Sequence, residues 1–234
     1  MLKRRSHRYN IDSEVIVVFA QVNGMRLFYE QSGMGRPLIL LHGNAEDHGI
    51  FDEAVDVLKE RYTCYALDSR GHGRSTACHE LHYQDMADDV CAFIEELDLD
   101  NVIVYGFSDG AIIALLAAQQ DDRIKDLIIS GANLSPADLK PWIRGSMHLC
   151  NVIHKDDKIA LMLREPHIMD ENLKNIQART LVLAGGSDVV SAKETAHIAK
   201  MIPHAEMRIL AGEGHGSYVI HNRKIADIIL AFAG

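Results

Sequence analysis

The chain has 234 residues and is acidic, with 33 Asp and Glu against 24 Lys and Arg for a formal charge of −9. That balance, without any basic stretch interleaved with aromatics, excludes a nucleic-acid partner, and no segment approaches the length of a membrane span. Four widely separated cysteines, Cys64, Cys78, Cys91 and Cys150, form no C-x-x-C pair and fit reduced thiols in a cytoplasmic protein.

The first residues are basic at Lys3, Arg4, Arg5 and Arg8, but only Val15 to Ala20 is apolar and Asp12 and Glu14 precede it, so no secretory signal is expected. Strands are predicted at Val15 to Gln21 and Met25 to Glu30, joined at Asn23-Gly24, a hairpin signal that opens the sheet with an antiparallel edge. A third strand, Pro37 to Leu41, runs into His42-Gly43-Asn44. A helix over Ile50 to Glu60 follows, then a strand over Tyr62 to Leu67, a glycine-rich loop, and a helix over Tyr83 to Leu97. His79-x-x-His82 in that loop has the spacing of half a metal site, yet no Cys or carboxylate pair completes it, so no metal is expected.

Strands at Asn101 to Tyr105 and Ile124 to Ile129 flank a helix over Ala111 to Gln120. From about Ala132 to Arg179 the alternation stops. Pro136, Pro141, Gly145 and Pro166 punctuate short helical patterns whose apolar faces include Leu139, Trp142, Ile143, Met147, Leu149, Ile159, Met162 and Leu163, which reads as a small inserted helical cap. Strand and helix patterns then resume at Thr180 to Leu183, Ser191 to Met201, Glu206 to Leu210 and Arg223 to Phe232. This alternation predicts an α/β fold: one domain over 1–234, with an eight-stranded, mostly parallel sheet covered by helices on both faces and a cap over about 132–179.

The chemistry concentrates in Gly106-Phe107-Ser108-Asp109-Gly110, between an apolar strand and a helix. In a nucleophile elbow the residues two before and two after the serine nearly touch, so both must be small, and both are glycine. A serine hydroxyl needs a base and an orienting acid. Asp188 follows the seventh strand in Ala184-Gly185-Gly186-Ser187-Asp188, and His215 follows the eighth in Gly212-Glu213-Gly214-His215-Gly216. Both lie at carboxyl ends of strands, where open parallel sheets bind ligands. The expected oxyanion donors are the backbone N–H groups of Asp109, at a helix start, and of Asn44.

These pieces resemble the α/β-hydrolase superfamily from Gly24 to the C-terminus: His42-Gly43, the run Asp68-Ser69-Arg70-Gly71-His72-Gly73-Arg74-Ser75, the elbow, Asp188 and His215. The resemblance implies structural roles for Asp68, Arg70 and Ser75. A serine at the elbow sets the chain apart from dehalogenases and epoxide hydrolases of the superfamily, which carry aspartate there, although Asn44 is similar to their H-G-N loop. The lipase-type H-G-G-G loop is absent. Meta-cleavage-product hydrolases and proline iminopeptidases look similar but carry a larger cap. Gly-Phe-Ser-Asp-Gly-Ala-Ile-Ile-Ala-Leu resembles the biphenyl hydrolase-like branch, which includes hydrolases of amino-acid esters.

The expected activity is cleavage of small carboxylic esters through an acyl-serine, with no cofactor or metal, by a monomer or homodimer. Asp109, Trp142 and Met147 are the expected substrate contacts. Asp109 has two readings: an acidic residue at the first helical position favours the helix dipole, or a carboxylate beside the developing oxyanion, which opposes catalysis unless a cation compensates it, marks a preference for substrates with a cationic amine. Two alternatives stand beside this. One is carbon–carbon hydrolysis of a β-diketone, with Arg144 and His148 as candidate basic groups, and the other is a non-catalytic ligand-binding member of the superfamily.

Overall fold

The computed structural model describes residues 16–234. The basic stretch Lys3 to Arg8, Asp12, Glu14 and the predicted first strand residue Val15 lie outside them. Strands β1 (Ile16–Val22) and β2 (Met25–Ser32) form the antiparallel hairpin, turning at Asn23 and Gly24 with φ of 48° and 75°. Both turn residues take left-handed backbone, which matches the twist of the paired strands. The remaining strands are β3 (Arg36–Leu41), β4 (Tyr62–Leu67), β5 (Val102–Phe107), β6 (Ile124–Ser130), β7 (Arg179–Ser187) and β8 (Ala205–Gly214). Their order across the sheet is β1-β2-β4-β3-β5-β6-β7-β8, with every pair from β4 onward parallel.

Side-chain alternation along the central strands divides the core in two. Leu38 and Leu40 of β3 and Ile103 and Tyr105 of β5 pack with helices α1 (Asp52–Leu58) and, near the C-terminus, Lys224–Ala233. Ile39, Leu41, Val102 and Val104 face the other way, onto α2 (Tyr83–Glu96) and α3 (Asp109–Ala118). Strands buried on both faces read as continuous apolar runs rather than as alternating ones, as Leu38-Ile39-Leu40-Leu41 does. The predicted eight-stranded, mostly parallel α/β architecture is therefore the one observed.

Between β6 and β7 the chain forms a 3-10 turn at Pro136–Asp138 and then α4 (Pro141–His154), α5 (Asp157–Arg164) and α6 (Asp170–Lys174). Leu161 and Leu173 anchor this segment in the α2–α3 side of the core, whereas α4 contributes no buried residue. The Asp156 carboxylate caps α5 by accepting from the N–H groups of Lys158 and Ile159. His82 and the backbone N–H of Tyr83 hold the Glu165 carboxylate at 2.6 and 3.1 Å, Arg164 donates to the Leu81 carbonyl, and His79 lies 3.3 Å from Asp157. The His79-x-x-His82 pair thus clasps the inserted helices to the start of α2. After β7 come α7 (Ala192–Met201), β8 and finally α8 (Lys224–Ala233).

Candidate active site

Ser108 stands between β5 and α3 with φ 55° and ψ −116°, a conformation that costs a non-glycine residue on the order of 1–3 kcal/mol and persists only where the surroundings enforce it. The surroundings are tight. A Cβ added to Gly106 would sit 2.2 Å from the Gly110 carbonyl oxygen, and one added to Gly110 would sit 2.1 Å from that of Leu41 on β3. The glycines therefore let strand, helix and neighbouring strand close around the serine, whose N–H donates to the Ser130 carbonyl at 2.8 Å.

The structure brings Ser108, Asp188 and His215 together. Ser108 Oγ lies 3.0 Å from His215 Nε2, and His215 Nδ1 lies 2.6 Å from Asp188 Oδ1. Asp188 directly follows β7 and is buried; its carboxylate also accepts the N–H groups of Val190 at 3.1 Å and Gly185 at 3.2 Å. Burial pushes the Asp188 carboxyl up, but the hydrogen bond and charge of His215, with those two N–H groups, outweigh it and hold the group below the usual carboxylate range. Lys140 Nζ donates to the Asp188 carbonyl, fastening the acid loop to the start of α4. The imidazole packs on Phe107, with ring centroids 5.0 Å apart.

Gly131, which sequence reasoning did not single out, sets the other wall of the imidazole. It has φ of 68°, and a Cβ there would meet His215 Cε1 at 2.6 Å and Nδ1 at 2.8 Å. The ring, at the end of a loop, would have to move. Gly131→Ala is expected to lower kcat by about 10²-fold with KM little changed, the usual effect of displacing a reacting group by about 1 Å. Steady-state kinetics on a folded variant, with circular dichroism as the control, measures it.

The loop after β3 faces the elbow. His42 is buried, accepts the Ser69 N–H at Nε2 (3.1 Å) and so donates from Nδ1 to the Gly43 carbonyl (2.8 Å); burial brings its pKa down to about 4, so the ring is neutral. Among the described residues no acceptor takes the Asn44 N–H, and the Asp109 N–H, first in α3, has no partner within its own helix. The Asp109 side chain is not at the cavity. It is 5% exposed and turned under the loop, where it accepts from Asn44 Nδ2 at 2.8 Å beside the Tyr83 hydroxyl. Burial raises its pKa to about 6 against the hydrogen bond from Asn44 and the nearby Tyr83 hydroxyl.

A cavity of about 300 Å³ opens at Ser108 and His215, bounded by Asn44, Glu46 and Phe107 on the sheet side and by Leu139, Ile143 and Met162 from the inserted segment. Trp142 and Met147 do not line it. Trp142 is 67% exposed, and adjacent residues of a helix diverge by a quarter turn or more, so α4 turns Ile143 inward and Trp142 outward. Glu46 was not among the residues singled out from sequence; the only signal for it is a carboxylate two residues after Asn44.

The Asp68–Ser75 run builds the loop beneath. Asp68 accepts from the N–H and Nδ1 of His48 (2.8 and 2.7 Å) and from the Arg74 N–H (2.7 Å), Arg70 pairs twice with Asp89, and Ser75 bridges the Asp68 carbonyl and the Phe28 N–H. Asp47, His48 and Asp68 place ligand atoms within 4.8 Å of one another. The Asp68 carboxylate is taken up by the hydrogen bonds just described. No helix of the described residues is long and apolar enough to cross a membrane.

A parallel sheet in this order, a serine on a strand-to-helix turn, and an acid and a histidine after the last two strands define an α/β-hydrolase architecture. A family model described as alpha/beta hydrolase fold matches residues 36–149. The AB hydrolase superfamily protein YisY of Bacillus subtilis is 28% identical over 254 residues, covering 88% of this chain and 95% of its own. Among solved structures, an esterase from Exiguobacterium antarcticum superposes with a TM-score of 0.81 at 20% identity, covering 93% of this chain and 99% of its own. A meta-cleavage product hydrolase from Pseudomonas fluorescens gives 0.73 at 17%, covering 92% and 96%. Along most of its length the chain is similar to members of the α/β-hydrolase superfamily and shares their fold.

Proposed function

We propose that the chain is a serine hydrolase that cleaves small carboxylic esters. The observation that carries this reading is the 3.0 Å and 2.6 Å relay from Ser108 through His215 to Asp188 at a strained elbow facing a cavity. Ser108 Oγ attacks the ester carbonyl while His215 Nε2 takes its proton. The oxyanion lies against the N–H groups of Asn44 and Asp109. Collapse expels the alcohol, which receives the proton from His215, and leaves Ser108 acylated. Water, deprotonated by His215, then attacks the acyl carbon, and the acid departs as Ser108 regains its proton. Asp188 holds the imidazole and stabilises its charged form in both halves.

A cavity of about 300 Å³ is at the small end of ligand sites, which favours short acyl groups. The carbon–carbon alternative lacks its basic groups: Arg144 and His148 are absent from the lining, whose charged side chain is Glu46. The amine preference expected through Asp109 also lacks support at that side chain, because Asn44 and Tyr83 enclose it.

The test is labelling by a fluorophosphonate probe, parent against Ser108→Ala, with hydrolysis of p-nitrophenyl acetate, butyrate and octanoate. Labelling lost in Ser108→Ala, with acetate and butyrate turned over faster than octanoate, is the expected result. A folded parent that binds small ligands yet is neither labelled nor active would replace this reading with the ligand-binding one.

A further inference from the structure

Glu46 is the charged group of the cavity that ester hydrolysis by the triad leaves without work. Ala45, with φ of 57°, bends the loop after β3 back on itself, so that Glu46 Oε2 accepts the Gly43 N–H at 2.9 Å. The carboxylate is thereby held one residue from Asn44, whose N–H is the proposed oxyanion donor. It is also close to the nucleophile: a Cβ built on Gly43 would lie 2.6 Å from Glu46 Oε2 and 3.2 Å from Ser108 Cβ.

Among the described residues no Lys or Arg nitrogen lies within 4.0 Å of this carboxylate, whereas arginines pair with the buried carboxylates of Asp89, Asp121 and Asp126. No lysine or arginine lines the cavity. Partial burial and the nearby Asp109 push the Glu46 carboxyl up, against the Gly43 N–H and His215. A fixed negative charge here disfavours an oxyanion forming on the same loop and repels acidic substrates. A cation delivered by the substrate reverses both effects, because the oxyanion then forms in a neutralised site.

We propose that Glu46 is a specificity-determining residue that binds a substrate ammonium next to the scissile carbonyl, making amino-acid-type esters the preferred class. This rests on the ester-hydrolase reading above. The loop needs only an acceptor for the Gly43 N–H, which a glutamine oxygen also supplies, so Glu46→Gln removes the charge and keeps the loop bond.

The experiment compares ethyl esters of alanine and propionic acid, equal in shape but for the ammonium, at pH 6.5, with the monoethyl ester of succinic acid as an anionic probe. In Glu46→Gln, kcat/KM for the alanine ester should fall at least about tenfold, change less than about threefold for the propionate, and rise for the succinate. Equal losses on alanine and propionate esters would assign Glu46 a purely structural role and overturn the proposal. A binding measurement separates this outcome from failure of the ester reading. Alaninamide should bind Ser108→Ala by calorimetry and bind the Ser108→Ala, Glu46→Gln double variant at least about tenfold more weakly. Equal affinities would overturn the role of Glu46 whether or not the parent turns over esters, whereas a parent inactive on every ester and unlabelled by the probe contradicts the ester reading itself.

Discussion

Asp188→Asn is expected to lower kcat about 10⁴-fold while KM stays within about twofold, the pattern of an interaction made in the transition state. The size follows from proton bookkeeping. Asp188 Oδ1 sits 2.6 Å from His215 Nδ1, so the ring donates there and leaves Nε2 bare to take the proton of Ser108, 3.0 Å away. In the variant one amide oxygen cannot serve both Val190, on Oδ1, and Gly185, on Oδ2; with the oxygen kept on the Gly185 N–H, the NH₂ takes the Oδ1 position and faces the ring. The imidazole must then accept at Nδ1 and carry its proton at Nε2, where it cannot act as a base.

The same carboxylate also links activity to acid stability. Its folded pKa is below the ordinary value, so its contribution is complete above about pH 4 and is lost as pH falls through the depressed value. Stopped-flow or steady-state kinetics on the folded variant is the measurement. A loss under about tenfold would mean that another group orients His215.

The strands and the meeting of Ser108, Asp188 and His215 were legible in the sequence because both are written in local signals. Leu38 to Leu41 and Val102 to Tyr105 are apolar runs bounded by turns, and the elbow glycines announce a contact that their own smallness permits. Asp188 and His215 each follow a strand, so the parallel order of β7 and β8 carries them to one edge of the sheet. Side-chain directions in loops and on isolated helices were not legible. Asp109 points away from the cavity because Asn44, 65 residues earlier, reaches under the elbow to hold it, and no local pattern encodes that meeting. Trp142 and Met147 share α4 with Ile143, and the sequence marks the helix as apolar without fixing which side meets the triad. Glu46 needed the positive φ of Ala45, a residue type that seldom adopts it.

Asp109→Asn is expected to stabilise the protein at alkaline pH by about 3 kcal/mol, a rise in Tm of about 6–12 °C for a chain of this size. The folded carboxyl titrates at about 6 against an ordinary value of 3.8, so between those values the folded state holds the proton more tightly than the unfolded chain does. Stability therefore falls as pH rises through that window, and the full penalty is present above pH 6. Asparagine stays neutral, so its advantage should be full at pH 8 and about half as large at pH 5; a gain independent of pH would show that ionisation is not its source.

A costly buried carboxyl suits a site that needs its position. Asp109 supplies one proposed oxyanion donor through its own N–H and, through its side chain, grips Asn44, which supplies the other. The asparagine oxygen accepts the same Asn44 Nδ2 bond, so kcat should stay within about threefold in Asp109→Asn and fall about 10²-fold in Asp109→Ala, where Asn44 is released and one donor drifts. Because the side chain is shut off from the cavity, the ratio of kcat/KM for alanine and propionate esters should be unaltered in Asp109→Asn. That contrast with Glu46→Gln assigns geometry to one carboxylate and substrate charge to the other.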